Sequence, residues 1–258
     1  MRNPEQIETR SLELFAQRLV QTSYPGYPKP EERYWQSTDD LPTDPGERLI
    51  IPPGPWWTNE ARELNDRCNP ADYPTVTNFD SNGRPLHPWF KNMLTNKNLG
   101  IVAGRGFYYD YGPNYTGDPI IFRHDLDEVH VLLIERRDRT GLALPGGHFD
   151  KRYDTTGIDT ARREAKEETG IDITNGTLKE STVYIGPVAD IRTTIHSWPE
   201  TTAVRFDLSN DFARTLGTAS FKGFDDALAV HWVPVSQKDR ELFGSHNLLV
   251  DLALEQEA

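Results

Sequence analysis

Residues 156–171, TGIDTARREAKEETGI, constrain this chain more than any other stretch. Thr156 can N-cap a helix, and Asp159, three residues on, can return the contact as a capping box. Gly170 suits the left-handed position that ends a helix. Between these signals Glu164, Glu167 and Glu168 stand at i, i+3 and i+4, so their carboxylates are expected on one side of the helix. Three such groups repel one another unless a cation lies among them. Oxygen donors at that density select hard divalent ions, Mg²⁺ or Mn²⁺. Arg163 can pair back to a carboxylate and fix its rotamer. Gly146 and Gly147, just upstream, let backbone approach a metal or a phosphate closely, which makes Gly147 a candidate backbone ligand. A solvated acidic helix face could carry the same Glu-x-x-Glu-Glu spacing, and only the longer pattern around it argues for a site.

The rest of the chain divides by texture. In residues 4–22, Leu12, Phe15 and Leu19 follow a helical stripe and predict a packing or dimer helix. Residues 23–100 are dense in proline and aromatics (YPGYPKP, LPTDPGE, IPPGPWW) and read as irregular and β-rich. Trp56, Trp57, Trp89 and Phe90 among the prolines point to packing rather than to a peptide ligand. Regular elements begin near residue 98. NLGIVAG, DPIIFR, VHVLLIERR, TVYIGPV, TTAVRFDL and LAVHWVPV read as strands, with helices at 156–169 and 245–256. No G-x-G-x-x-G follows a strand, which excludes a dinucleotide-binding fingerprint. The expected division is 1–115 for the N-terminal helix and irregular domain, and 116–258 for the domain carrying the glutamates.

Charge narrows the partners. With 28 basic and 40 acidic residues in 258, the net charge is −12. Nucleic acid and anionic membranes would repel such a surface on average, although an acidic small molecule could still bind in a local basic or metal-lined pocket. One cysteine, Cys68, excludes an intrachain disulfide and fits a reducing compartment. No apolar run approaches the ~18 residues of a membrane span, and the first residues lack the apolar core of a signal peptide. The expectation is a soluble cytoplasmic globular protein.

Leu144-Pro-Gly-Gly followed by Arg163-Glu-x-x-Glu-Glu-x-Gly170-Ile171 resembles the Nudix box. The C-terminal half matches at every defined position. The N-terminal half carries two extra residues, within Lys151–Asp154. Aligned on Arg163, Thr155 stands where the family has an early, usually structural glutamate, with Asp154 beside it. Further blocks follow in register. They are Gly104-Arg-Gly106, Gly112-Pro-Asn114, and Asp118-Pro-Ile120 with Arg123. Tyr184-x-Gly186 precedes Asp190-x-Arg192 and Trp198-x-Glu200, then come Gly223-Phe-Asp-Asp-Ala with Trp232, and Leu242-Phe-Gly-Ser-His246. In this order they resemble the mitochondrial-type ADP-ribose pyrophosphatase family and its relative, the ADP-ribose-sensing domain of melastatin-type channels. The resemblance runs from about Asn78 to the C-terminus, and weakly upstream through Gly54-Pro55-x-Trp57.

That resemblance implies an α/β fold: a Nudix α/β/α sandwich with a mixed sheet, preceded by a smaller irregular β-rich domain that shapes the substrate cleft. It implies metal-dependent hydrolysis of ADP-ribose to AMP and ribose 5-phosphate. Glu164, Glu167, Glu168 and Gly147 would hold Mg²⁺ or Mn²⁺, with Arg163 in the same set and a box glutamate, Asp226 or Glu200 as the base. Asp190, Arg192, Phe243 and Ser245 would line the ADP-ribose pocket, and Arg123 joins them as a candidate. The chemistry of the side chains agrees. Arg192 is a good bidentate diphosphate partner, Asp190 can accept from ribose hydroxyls, and Phe243 or Trp198 can stack on adenine. Trp232 is expected in the core, and His246 near the final helix.

Two departures bear on specificity. The family's Asp-Pro-Arg-Asn-Thr-Asp is here Asp190-Ile-Arg-Thr-Thr-Ile195, which lacks an amide and a carboxylate. Its tyrosine in Leu-Tyr-x-x-His is Phe243, which lacks a hydroxyl. Another nucleoside diphosphate derivative (NADH, a dinucleotide or a nucleotide sugar) is therefore the alternative substrate. A non-catalytic ADP-ribose-binding module is the alternative class, and the complete Arg163–Glu168 hexad argues against it. Both monomer and homodimer fit the sequence.

Overall fold

The computed structural model describes residues 67–95, 104–106, 108–124, 128–138, 140–175, 177–190, 192–216, 221–237 and 241–256, with positions 9, 10 and 13. The helix expected over 4–22, the proline-rich stretch to residue 66 and most of the NLGIVAG strand lie outside them. Among the described residues no helix is long and apolar enough to cross a membrane.

Two compact units divide the chain. The first comprises Tyr115–Gly186 and Glu200–Ala258. The second comprises the described residues up to Asn114 together with Pro187–Pro199.

The sheet forms where the sequence is richest in apolar runs. Its strands are β1 (Gly112–His124), β2 (Val129–Arg136), β3 (Leu142–Ala143), β4 (Gly147–His148), β5 (Thr177–Pro187), β6 (Ser197–Leu208), β7 (Phe221–Lys222) and β8 (Ala227–Pro234). They run in the order β5-β6-β1-β2-β8-β7, with β3 on β2 and β4 on β1. β2 pairs antiparallel with both β1 and β8, Val131 lying opposite Phe122 on one side and opposite Val233 on the other. The central strands are buried on both faces, so they read as continuous apolar runs rather than alternating ones.

Strand alternation sends successive side chains into two cores. Ile121, Leu132 and Ile134 join Val204, Phe206 and Val230 on one face, against Ala161 and Ala165 of one helix and Ala213 of another. Ile120, Phe122, Val131 and Leu133 point the other way, against Leu249, Val250 and Ala253. The helices are α1 (Phe90–Thr95), α2 (Gly157–Thr169), α3 (Asn210–Leu216) and α4 (His246–Glu255). Thus α2 and α3 cover one face of the sheet and α4 covers the other, an α/β/α sandwich. Trp232 lies in the first core, as expected.

Helix α2 starts where its capping signals say. Thr156 accepts from the Asp159 N–H, and the Asp159 carboxylate accepts from the Thr156 N–H at 2.8 Å. Gly170 ends it at φ 73°, a left-handed conformation that a side chain would resist. The short helix α3 and the two-residue strands β3, β4 and β7 are too short for a clear periodic pattern.

The second unit is held by a buried polar network. Asp80 accepts from the backbone N–H groups of Asn82 and Arg84, both at 2.9 Å, and from Arg84 Nε at 2.6 Å. His196 Nε2 lies 3.0 Å from the same carboxylate, and its Nδ1 accepts from Gly104 N–H. The four donors outweigh the effect of burial and hold Asp80 down at about 2. Nearby, His87 is buried between Trp89 and Trp198, and burial pushes its imidazole down to about 3.

Candidate active site

The glutamates of α2 are not equivalent. Glu164 and Glu168, one turn apart, turn inward and are only 7% and 4% exposed, whereas Glu167 lies toward solvent. Positions i+3 and i+4 flank i on opposite sides, about 100° apart around the helix axis, so the expected single row of three resolves into an inward pair and an outer third.

Among the described residues, each inward carboxylate has a single hydrogen-bond donor. Arg163 Nη1 donates to Glu164 at 2.6 Å, and the Gly146 N–H donates to Glu168 at 2.8 Å. Burial dominates both. It pushes Glu164 up to about 7 and Glu168 up to about 8, helped by repulsion from Glu167 and Asp225 in the first case and from Glu164 and Asp226 in the second. Without a further positive charge, these groups resist ionisation near neutral pH.

Arg163 organises the set. Its Nε donates to Asp154 at 3.0 Å, and its Nη2 donates to Asp154 at 2.9 Å and to the His148 carbonyl at 2.8 Å. Its Nη1 reaches Glu164 and, at 2.7 Å, Glu167. Asp154 is fully occupied, accepting also from Asp150 N–H at 2.9 Å and from Thr160 Oγ1 at 3.0 Å. Burial would raise its pKa, but these donors together hold it low. The residue facing Arg163 is therefore Asp154, while Thr155 is exposed. The extra residues between β4 and α2 bring an aspartate to the position from which the arginine is braced.

Gly147 sits on β4 opposite Gly117 of β1. A Cβ at Gly147 would collide with the Glu164 carboxylate, so backbone and carboxylate share one small space. The β7–β8 turn is tied to the end of α2, since Phe224 N–H donates to the Glu168 carbonyl at 2.9 Å. That tether brings Asp225 and Asp226 within electrostatic reach of Glu164 and Glu168. Asp225 has φ 45°, in the left-handed region.

The donor set suits a hard divalent cation: two buried carboxylates poor in donors, a third beside them, and backbone close by. Among the described residues, no group of three or more His, Cys, Asp or Glu side chains stands together as a ready cage. Arg163 Nη1 bridges Glu164 and Glu167.

The other candidate residues fall in both units. In the first, Arg123 is buried with its guanidinium 5.4 Å from the Trp232 ring, and Ser245 is buried at the start of α4. Phe243 donates its N–H to Leu142 O at 2.8 Å, and Arg136 lies over its ring at 4.3 Å. His246 accepts from Leu144 N–H at 2.8 Å, which ties α4 to the residue before the Pro-Gly-Gly turn. In the second unit, Asp190 and Arg192 form a two-pronged pair at 2.9 and 2.5 Å. Trp198 is buried against His87 and presents no open face for a base. Glu200 lies half-buried on β6.

Sequence reasoning missed the role of Asp154, although the insertion beside it was the available signal. It also missed the Gly146 N–H donor to Glu168, a contact with no side-chain signature.

Comparison with known proteins supports the same assignment. Residues 119–248 match the NUDIX domain family. A Caenorhabditis elegans nudix hydrolase 6 is 30% identical over 200 residues, covering 74% of this chain and 72% of that protein. A Rattus norvegicus protein named ADP-ribose pyrophosphatase, mitochondrial, is 27% identical over 202 residues, covering 68% of this chain and 55% of its own length. A Nematostella vectensis protein named as a transient receptor potential cation channel subfamily M member-like 2 is 28% identical over 187 residues, covering 64% of this chain and 11% of its own. The chain thus spans about half of the rat relative and about a tenth of the channel-like one. Among solved structures, the NUDIX domain of Shewanella oneidensis NrtR complexed with ADP ribose aligns with TM-score 0.46 at 21% identity, over 57% of this chain and 90% of that one. On its box, its sandwich and its match to the domain, this chain belongs to the Nudix hydrolase family.

Proposed function

We propose that this chain hydrolyses the diphosphate of ADP-ribose, with a divalent cation, to AMP and ribose 5-phosphate. The observation that carries the reading is the inward pair Glu164 and Glu168, two buried carboxylates with one donor each. The choice of ADP-ribose rests on the motifs outside the box and on the rat relative named for that activity.

Glu164, Glu168 and Glu167, with the Gly147 carbonyl, would hold Mg²⁺ or Mn²⁺. The bound cation supplies neutralisation of the diphosphate oxygens and a lowered pKa for bound water. Arg163, braced by Asp154, fixes the rotamers of Glu164 and Glu167. Asp226, brought to the Glu168 end by the β7–β8 turn, takes the proton as water oxygen bonds to one phosphorus and the P–O–P bond breaks. The second phosphate leaves with the bridging oxygen. Asp190, Arg192, Arg123, Phe243 and Ser245 are the side chains assigned to substrate contact. The hydrolase domain is assigned to residues 116–258, within which Pro187–Pro199 belongs to the second compact unit.

A second reading keeps the chemistry and changes the substrate to another nucleoside diphosphate derivative. It is favoured by Ile195, which is fully buried where the family carries a carboxylate. Incubation with ADP-ribose, with and without Mg²⁺, and chromatography of the products tests both. Metal-dependent AMP is expected. No AMP from ADP-ribose, but turnover of NADH or a dinucleotide, would favour the second.

A further inference from the structure

The carboxylates of α2 need a positive group to face the negative oxygens of a diphosphate. Arg163 is not free to be that group. Its Nε serves Asp154, its Nη1 serves Glu164 and Glu167, and its Nη2 serves His148 O and Asp154, which uses all five N–H bonds.

Arg136, at the end of β2, is placed differently. Its Nε donates to Thr140 Oγ1 at 2.9 Å and to Asp138 at 3.1 Å, and its Nη2 donates to Asp138 at 2.7 Å. Asp138 is in turn fixed by Thr140, whose hydroxyl donates to it at 2.6 Å. The guanidinium lies 4.3 Å from the Phe243 ring centroid, and Phe243 is anchored by its N–H to Leu142 O. One edge of the guanidinium is thus locked and one face is covered. The Nη1 edge has no partner among the described residues. Arg136 also lies within electrostatic reach of Glu168, on which it acts as a stabilising positive charge. Its strand neighbour Ala227 belongs to the turn whose Phe224 N–H is bonded to the Glu168 carbonyl.

We propose that Arg136 is a further substrate-binding residue, its free Nη1 edge donating to a non-bridging oxygen of the diphosphate at the Glu168 end of the site. A guanidinium held on one side by a carboxylate and over an aromatic ring loses little freedom when it binds an anion. The inference rests on the hydrolase reading above, and it assigns to Arg136 the phosphate contact that Arg163 cannot make.

The test compares wild type, R136Q and R136K by three readouts: KM and kcat for ADP-ribose with Mg²⁺, the Kd of Mg²⁺-pyrophosphate by calorimetry, and the melting temperature. A charge-assisted hydrogen bond predicts a rise in KM and in Kd of roughly tenfold or more in R136Q, with the melting temperature little changed. R136K, which keeps the charge but not the fork, should fall between the two. KM and Kd within twofold of wild type in R136Q would overturn the proposal. So would a loss of binding that simply follows a fall in melting temperature and is restored in full by R136K. If wild type leaves ADP-ribose intact, the substrate reading fails, and the pyrophosphate Kd alone decides Arg136. Tenfold weaker binding in R136Q upholds the anion contact, and equal binding removes it.

Discussion

Asp80 and the pair Glu164–Glu168 are buried carboxylates in separate units, and their surroundings are opposite. Asp80 is met by two backbone N–H groups, a guanidinium and an imidazole, and stays ionised down to about 2. Glu164 and Glu168 are met by one donor each, and burial carries them to about 7 and about 8. The chemical group is the same, and the number of donors decides its use. A carboxylate with every lone pair occupied holds a fold together. One left short of donors stores a demand for positive charge, which an incoming cation satisfies.

The sharpest way to break the comparison is to neutralise one member of each set. E168Q removes a proposed metal ligand and should lower turnover by roughly a thousandfold, a loss of transition-state stabilisation on the scale of one missing electrostatic contact. The same change removes a costly charge, so metal-free E168Q should melt higher than wild type at pH 8.5, by ~5 °C. D80N should do the reverse. It leaves Arg84 and His196 buried without their anion, and chemical denaturation should show a loss of about 3 kcal/mol. Equal stability effects in the two variants would erase the distinction.

Acidity separates the two regions by sign. His87 has a folded value near 3 against 6.5 for a free imidazole, so the unfolded chain takes up the proton first. Its contribution is complete above pH 6.5 and is lost as the pH falls toward 3. Asp80 adds a loss in the same direction below about 3.8. For Glu164 and Glu168 the folded protein binds the proton more tightly. Their contribution is complete below 4.5 and is lost as the pH rises through about 7 and 8. Amide hydrogen exchange without metal should therefore show the second unit loosening in acid and α2 loosening toward pH 8.5. Parallel slopes in both regions would contradict this.

A smaller effect tests the brace behind the site. D154A frees Arg163 Nε and should slow turnover by about tenfold to a hundredfold, as expected when an orienting partner is lost, with KM for the nucleotide changing less. D154E should recover part of the loss, because a carboxylate is restored on a longer stem. Smallest is the helix cap, where T156A should cost about 1 kcal/mol of stability with little effect on KM.

The legible parts of this fold are those whose cause is local. Thr156, Asp159 and Gly170 marked both ends of α2, and apolar runs marked β2, β6 and β8, because caps and periodicity act over a few residues. The Glu164–Glu168 pair was legible for the same reason. What stayed hidden depends on partners distant in sequence. Glu167 looks equivalent to its neighbours until the helix is laid on the sheet. Asp154 acquires its role only when the β4–α2 loop folds back on Arg163. Asp80 and His196 share no spacing that announces a pair. β3 and β4 are too short for a periodic signal and exist because β2 and β1 are there to pair with them.

The central claim is that α2 carries two buried carboxylates awaiting a divalent cation. Calorimetric titration of the protein with Mn²⁺ at pH 7, in two buffers of different ionisation enthalpy, measures binding and proton release together. The account predicts saturable binding with release of about one proton, because a cation displaces protons held by Glu164 and Glu168. It also predicts that both signals weaken in E168Q. Saturable binding without proton release, or with no change in E168Q, would contradict it.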